Sequence, residues 1–245
     1  MHSDVAIIIP SRIGSTRLPR KALAKIGEFS LIEHVVRRLK GVAGNNLYVA
    51  TDSKEIAVLS ELSGAIAIMT DEDCATGSDR VFQAFQKILG YDKIKYIINI
   101  QGDMPFIKES IVNKIIYDLK NGVCDIVTSV VKVGEDVAAS SSNVKVAINK
   151  LGQAMYFSRS LIPHGASEFL YHVGIYGFSR DALERFVNLP QGECEKLENL
   201  EQLRALEYGM KIGVCLSDDI PISVDTPDDL ERAKEYYATY NCWSI

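Results

Sequence analysis

The sequence predicts an α/β protein with a mostly parallel sheet, helices on both faces and a smaller inserted antiparallel lobe. With 245 residues, 47% of them hydrophobic, the chain is long enough to bury a sizeable core. In the first half, apolar strand-like runs alternate with helical patterns, which is typical of repeated βα units. After Asp125 strand-like runs follow one another closely, which indicates antiparallel ribbons. We therefore treat 1–245 as one domain with a ribbon lobe inserted at 130–178.

The individual elements follow from their hydrophobic periodicity. Strands are predicted, in order, at 5–10, 46–51, 65–69, 96–101, 125–133, 143–149, 153–159, 168–179 and 211–216. Helices are predicted at 30–40, 53–62, 78–89, 110–120, 180–187 and 194–208, with a last helix after Thr226. A turn is expected at 149–152, where Asn and Gly flank Lys-Leu.

Several helix ends carry recognisable capping residues. Ser30 with Glu33 forms a capping-box pair, and Asp52 with Glu55 is a second plausible helix start. Thr226 followed by Pro227 and Asp229 is a third. The helix at 194–208 ends before Gly209, and its leucines at 197, 200, 203 and 206 are spaced as a core-facing stripe.

The loop after the first strand is strongly basic in a protein whose net charge is -5. The segment from Val5 to Gly27 contains no carboxylate, and its cations are Arg12, Arg17, Arg20, Lys21 and Lys25. Backbone N–H groups, hydroxyls and cations at the end of a buried strand favour binding of a polyanion such as a nucleoside triphosphate. The alternative is a solvated basic face. The spacing matches neither the Walker A nor the GxGxxG pattern, and the segment after the loop is expected to be helical.

Two aspartates follow apolar runs that we interpret as strands. Asp103 comes after the strand at 96–101, where Gly102 permits close approach of a ligand, and Asp225 follows the run at 221–224. Because Thr226 can cap the helix, the Asp225 carboxylate is not needed as the cap and is available to bind a ligand. Carboxylates and substrate oxygens commonly hold Mg²⁺ in triphosphate chemistry, so we expect Asp103 and Asp225 to bind it. Ordinary caps and turns are the alternative.

Composition argues against several other classes of protein. Five cysteines without a CxxC pair indicate free thiols rather than a disulfide framework or a zinc site. The acidic balance argues against nucleic acid as a partner. The N-terminus has no secretory pattern and no run approaches 18 apolar residues, so we expect a cytoplasmic protein without membrane insertion.

The sequence resembles the 3-deoxy-manno-octulosonate (Kdo) cytidylyltransferases almost from end to end. The segments that carry the resemblance are IIIPSRIGSTRLPRKAL (7–23), VATD (49–52), TGSDR (76–80), INIQGDMP (98–105), YFSRSLIP (156–163), YHVGIYGFSR (171–180), LENLEQLRALEYG (197–209) and VDTPDDLE (224–231). The resemblance implies a nucleotide-binding α/β sheet and a lobe that contributes to the sugar site and to a homodimer interface. It also implies the reaction of CTP with Kdo to give CMP-Kdo and pyrophosphate, for lipopolysaccharide biosynthesis.

The resemblance also suggests roles for individual residues. Arg12, Arg17 and Lys21 would neutralise the triphosphate, and Lys21, Asp103 and Asp225 would be catalytic, with Mg²⁺ on the two aspartates. Cytosine would be selected near Pro10, Ser11, Arg80 and Gln101. The sugar would be bound by Arg159, His172, Tyr176, Glu201 and Gln202. From the residues alone, Arg159 is equally a surface charge, Tyr176 is equally a packing residue and the Glu201-Gln202 pair is equally exposed, whereas a lone histidine such as His172 is more often structural than functional.

Two departures from the family pattern and three rival functions stay open. Met104 stands where the family commonly has an acid, and Cys74-Ala75 stand where many members have His-Gln. A related sugar, such as 8-amino-Kdo, is therefore a candidate substrate. A glycosyltransferase would use the Asp71-Glu72-Asp73 triplet as its DxD motif, a nucleotide sensor would need only the charged loop, and another CMP-forming enzyme would act on a nonulosonate.

Overall fold

The computed structural model describes residues 3–240, which divide into two compact units. The first unit comprises the residues up to Val112 together with those from Pro221 onward, and the second is Asn113–Ile220. Cys242 lies outside the described residues. The predicted arrangement, one domain over 1–245 with a lobe at 130–178, stays a prediction.

The first unit alternates strands and helices as the sequence predicts. Its elements are β1 (Val5–Pro10), β2 (Lys25–Ile26), β3 (Phe29–Ser30), α1 (Leu31–Ala43), β4 (Leu47–Thr51), α2 (Lys54–Ser63), β5 (Ile66–Met69), α3 (Gly77–Gln86), β6 (Tyr96–Ile100) and, near the C-terminus, α9 (Pro227–Tyr240). Helix α4 (Glu109–Asn121) contains the boundary with the second unit. Strands β6, β1, β4 and β5 pair in that order, all parallel. The parallel sheet predicted from the βα pattern is thus confirmed, and β1 is buried throughout.

The segment after the basic loop is not the helix that we expected. It forms one 3₁₀ turn at Lys21–Leu23 and then the antiparallel hairpin of β2 and β3. Ile26 on this hairpin is fully buried in an apolar cluster with Leu31, Phe106, Val224 and Ala233. Burial of Ile26 in this cluster favours the hairpin over a helix, and the same cluster packs α9 against the hairpin.

The second unit contains the strands predicted after Asp125. Its elements are β7 (Ile126–Val133), α5 (Glu135–Ala138), β8 (Lys145–Ile148), β9 (Ala154–Ser158), β10 (Phe169–Ser179), α6 (Arg180–Val187), α7 (Glu193–Glu198), α8 (Gln202–Glu207) and β11 (Ile212–Leu216). The pairs β7–β10, β10–β8 and β8–β9 are antiparallel, whereas β11 runs parallel to β7. The antiparallel ribbons and the turn at 149–152 are therefore confirmed.

The single helix predicted at 194–208 is wrong. Asn199 adopts a left-handed conformation (φ 52°) and ends α7, and α8 begins three residues later. Asparagine tolerates this conformation better than most residues. A buried ion pair, Arg204 Nη2 to Glu195 Oε1 at 2.6 Å, joins the two short helices. Leu197 is consequently 82% exposed instead of belonging to a core stripe.

Two of the three predicted helix starts are confirmed. Glu33 accepts the Ser30 N–H at 2.7 Å, and Asp229 accepts the Thr226 N–H at 2.9 Å. The start at Asp52 is wrong, because Ser53 caps α2 by accepting the Ile56 N–H.

The structure describes four of the five cysteines. Cys74, Cys124, Cys194 and Cys215 are free thiols. Within residues 3–240, no helix combines the length and the apolar character that a membrane crossing requires.

His172 lies in the interior of the second unit. Its side chain, on β10, is only 6% exposed, and Nε2 lies 2.9 Å from Thr128 Oγ1 on β7. Its ring contacts those of Phe157 and Tyr176. Burial lowers the pKa of His172 from 6.5 to about 3. His172 is therefore neutral in the folded protein at any pH near neutrality.

This burial predicts an acid-sensitive stability. Between pH 6.5 and about 3, the unfolded chain binds a proton at residue 172 that the folded protein does not, so the free energy of unfolding falls as the pH falls. His172→Gln removes this difference. In urea unfolding between pH 6 and 4.5, we expect the parent protein to lose up to about 1.4 kcal/mol per pH unit more than H172Q. Equal losses in the two proteins would contradict the prediction.

Candidate active site

A polar pocket of about 280 Å³ opens in the first unit at the carboxyl ends of the parallel strands. Ligands bind at this edge in open α/β sheets. Its walls come from the loop after β1, the start of α3, the loop after β6 and the residue before the cap of α9. The lining residues are Pro10, Ser11, Arg12, Gly14, Ser15, Thr16, Arg17, Lys21, Ala22, Cys74, Ala75, Thr76, Gly77, Arg80, Gln101, Gly102, Asp103 and Asp225.

The five cations of the basic loop do not all face this pocket. Arg12, Arg17 and Lys21 line it. Arg20 instead pairs with Glu55, and Lys25 donates to the Glu28 carbonyl at 3.2 Å. Among residues 3–240 no carboxylate pairs with Arg12, so its charge is left to act on a ligand. The three cations of the basic loop that line the pocket are the three that the resemblance assigns to the triphosphate.

Lys21 bridges the two aspartates proposed to bind metal. Its Nζ lies 3.0 Å from Asp103 Oδ2 and 2.9 Å from Asp225 Oδ1. Arg17 adds a second cation, 3.2 Å from the same oxygen of Asp225. The two carboxylates therefore converge closely enough to share one positive group, as the sequence analysis expects.

The reason for this convergence differs from the one we predicted. The run at 221–224 is not a strand, so Asp225 does not follow a strand end. Instead, the N–H of Val224 donates to the carbonyl of Asp103 at 2.9 Å, and the Val224 side chain is fully buried in the apolar cluster. The Thr226–Asp229 cap starts α9 immediately afterwards and leaves the Asp225 carboxylate directed at Lys21.

Burial and charge act in opposite directions on these groups. Burial raises the pKa of Asp103, Lys21 lowers it and Asp225 raises it again, so that the net pKa lies above the ordinary value. Burial lowers the pKa of Lys21, but Asp103 and Asp225 raise it by more. Asp103 Oδ1 is buried and accepts no hydrogen bond from any residue between 3 and 240. A positive ligand at Asp103 would thus relieve an electrostatic cost.

Gly102 allows the loops after β1 and β6 to lie in close contact. A Cβ atom at this position would lie 3.2 Å from the carbonyl oxygen of Pro10 and 3.3 Å from Ser11 Cβ. Pro10 and Ser11 are buried at this contact. The close approach that the sequence suggests for Gly102 is thus made by the protein's own backbone.

Arg80 is held at the pocket by groups from two loops, those that follow β4 and β5. Nη1 donates to Thr70 Oγ1 at 2.6 Å, and Nη2 lies 3.4 Å from Asp52 Oδ2. The other oxygen of Asp52 accepts the N–H of Ile13 in the basic loop at 2.9 Å. Asp52 thus ties the basic loop to Arg80, a role that the sequence analysis missed. Its position directly after β4, at the edge where ligands bind, was the available signal.

The remaining pocket residues bear on the departures from the family pattern. Gln101 lines the pocket and donates to Asn99 Oδ1 at 3.1 Å. Cys74 and Ala75 also line it, whereas Met104 is buried and does not.

Asp71 and Asp73, the acids of the alternative DxD motif, do not line the pocket either. The side chain of Asp71 instead accepts a hydrogen bond from Gln83.

The five sugar-binding candidates belong to the second unit. His172 and Tyr176 are buried on β10 with ring centroids 5.4 Å apart, and burial raises the pKa of Tyr176 well above its ordinary value, with Glu201 adding to the rise. Gln202 is 4% exposed, and its Nε2 has no hydrogen-bond acceptor among the described residues. Arg159 is half-buried after β9. Their role as a binding site stays a prediction.

Comparisons with known proteins agree on one family. The family model described as cytidylyltransferase matches residues 6–212. The chain is 56% identical to the 3-deoxy-manno-octulosonate cytidylyltransferase of Rickettsia bellii over 96% of this chain and 97% of that protein, and 54% identical to that of Rickettsia akari over 96% of each. The structure of CMP:2-keto-3-deoxy-manno-octonic acid synthetase complexed with CTP matches with a TM-score of 0.90 and 34% identity, over 97% of this chain and 99% of the other. This chain therefore belongs to the cytidylyltransferase family and, within it, to the 3-deoxy-manno-octulosonate cytidylyltransferases.

Proposed function

We propose that this protein transfers the cytidylyl group of CTP to Kdo and releases pyrophosphate. The observation that carries the proposal is the pocket in which Lys21 lies between Asp103 and Asp225 beside two arginines. The relatives that share most of this chain's length are named for the same activity. Cytoplasmic location, homodimer formation and a role in lipopolysaccharide biosynthesis are parts of the same proposal.

The triphosphate is the ligand that best matches the charge of the pocket. Arg12 and Arg17 offer several N–H donors each, and Lys21 adds an ammonium group. Arg80 and Gln101, with the backbone carbonyls of Pro10 and Ser11, would read the cytosine ring, whereas the Ser11 N–H already donates to the Ala50 carbonyl at 2.9 Å. Arg80 is the best oriented of these groups, because Thr70 and Asp52 fix its guanidinium.

The two aspartates fit a magnesium site. Asp103 has one buried oxygen without a partner among the described residues, and its other oxygen shares a cation with Asp225. Carboxylates are ligands that Mg²⁺ prefers, and one or two of them usually suffice when substrate phosphates complete the shell. Asp103 and Asp225 would hold the ion, which would supply charge neutralisation and Lewis-acid activation during phosphoryl transfer.

The reaction requires one bond to form and one to break at the α-phosphorus. The C2 hydroxyl of Kdo loses its proton to solvent, and its oxygen bonds to this phosphorus. The bond to the oxygen bridging the α- and β-phosphates breaks, with pyrophosphate leaving in line. Lys21 and the two arginines stabilise the negative charge that develops on the leaving group. Arg159, His172, Tyr176, Glu201 and Gln202 would orient the sugar, and the neutral, buried His172 is suited to hydrogen bonding rather than to charge.

The substrate assignment is tested by pyrophosphate release. Each of CTP, UTP, ATP and GTP is incubated with Mg²⁺ and either Kdo, 8-amino-Kdo or a sialic acid. We expect release with CTP and Kdo, in amounts equal to the CMP-sugar formed. Release only with a sialic acid would favour the nonulosonate enzyme, and no release with any pair would favour the nucleotide sensor or the glycosyltransferase.

Lys21→Met tests the role of the bridging ammonium. Methionine keeps much of the side-chain length but removes the charge that would stabilise the leaving group. We expect kcat for pyrophosphate release to fall by about 10²- to 10³-fold. Lys25→Met is the matched control, because Lys25 lies on the same segment but does not line the pocket. Equal activities of the two variants would contradict the role of Lys21.

Asp225→Asn separates catalysis from nucleotide binding. Asparagine keeps the size of the side chain but removes one of the two charges proposed to hold Mg²⁺. We expect pyrophosphate release to fall by at least about 10²-fold. Calorimetric titration should show that CTP still binds. Asp228→Asn, at an exposed position in the first turn of α9, should keep nearly full activity. Full activity in D225N would remove Asp225 from the mechanism.

A further inference from the structure

Lys145 is a fully buried lysine with no carboxylate within ion-pair distance among the described residues. Its side chain on β8 has no exposed surface. The ammonium group donates to the carbonyls of Ser140 at 3.2 Å, Asn143 at 2.7 Å and Arg159. Among residues 3–240, no carboxylate oxygen lies within ion-pair distance of it. Burying such a charge is costly, and an apolar side chain would avoid that cost.

The three carbonyls that Lys145 holds belong to the segments that support Arg159. Ser140 and Asn143 lie on either side of Ser141, whose carbonyl accepts Arg159 Nη1 at 3.2 Å. The third carbonyl is that of Arg159 itself. Lys145 thus connects the 140–143 loop to the end of β9.

The break between α7 and α8 completes the support of Arg159. The carbonyl of Glu198 accepts Arg159 Nε at 2.8 Å, and that of Asn199 accepts Nη2 at 3.4 Å. Asn199 is the residue whose left-handed backbone ends α7. Carbonyls at a helix C-terminus lack partners within the helix and favour a cation. The helix break therefore supplies acceptors for Arg159.

This arrangement leaves Arg159 able to bind an anion. Guanidinium has five N–H donors, and the three contacts with carbonyls leave one N–H on each terminal nitrogen. The Glu198 carboxylate accepts from Ser158 Oγ and from the N–H of Arg159, not from the guanidinium. A single carboxylate has the charge and the paired oxygens for the two remaining donors.

We infer that Lys145 is a positioning residue for the acidic sugar: by holding three carbonyls, it fixes the loop and strand end from which Arg159 binds the sugar carboxylate. The inference rests on the proposed function and adds a residue that does not itself touch the sugar. It also accounts for the burial of a lysine that makes no ion pair.

The test compares Lys145→Met with Lys150→Met, a control on the exposed turn after β8. In steady-state pyrophosphate release, we expect K145M to raise the KM for Kdo by about 10- to 100-fold, with the KM for CTP within about twofold of the parent value. K150M should change neither. If the parent protein releases no pyrophosphate with Kdo, the proposed function fails. If the parent is active and K145M has an unchanged KM for Kdo, this inference alone fails.

A double-mutant cycle decides whether Lys145 acts through Arg159. In an Arg159→Met background, K145M should raise the KM for Kdo by less than about twofold further, because the group that it positions is absent. Fully additive effects would overturn the inference. Urea unfolding checks that each variant folds, and Lys145→Gln replaces K145M in the cycle if K145M does not. Loss of cooperative unfolding in both variants would also overturn it, because Lys145 would then be a structural residue.

Discussion

The candidate active site depends on a cation held between two carboxylates from distant parts of the chain. Lys21 is separated by 82 residues from Asp103 and by 204 from Asp225, yet its ammonium contacts both. Without a positive charge between them, two partly buried carboxylates at this distance would repel each other and one would take up a proton. The same requirement makes the pair suitable for the divalent ion that we propose, because the two positive charges of the ion match the two carboxylates.

Contacts of the backbone and of buried side chains fix the positions of these charged groups. Val224 fixes the residue before Asp225 by donating to the carbonyl of Asp103 and by burying its side chain in the apolar cluster. Gly102 lets the loop that carries Asp103 contact Pro10 and Ser11. Asp52 links the basic loop to Arg80. The charged groups are thus positioned by contacts that do not depend on bound nucleotide, which reduces the entropic cost of organising the site.

Local patterns in the sequence predict most of the fold and most of the charged pocket residues. The βα alternation, the Ser30 and Thr226 caps and the antiparallel strands after Asp125 depend on residues close together in the chain, and these predictions are confirmed. The predictions fail where contacts between residues far apart in the chain determine the local structure. The segment at 221–224 is apolar because it joins a tertiary cluster rather than a strand, and Asp52 binds Ile13 and Arg80 instead of capping a helix. The position of Asp52 directly after β4 is a local signal of its role, whereas the run at 221–224 carries no such signal.

The helix break at Asn199 is a departure from the local pattern that supplies hydrogen-bond acceptors for Arg159. A continuous helix through this region would satisfy its own carbonyls, whereas the break directs those of Glu198 and Asn199 at Arg159. Neutral carbonyls hold the guanidinium without cancelling its charge, unlike the carboxylates around Lys21. The two cations are therefore suited to different ligands. Lys21 lies between two acids, which suits it to the metal and triphosphate that we propose, while Arg159 is held by neutral carbonyls, which suits it to the sugar carboxylate that we propose.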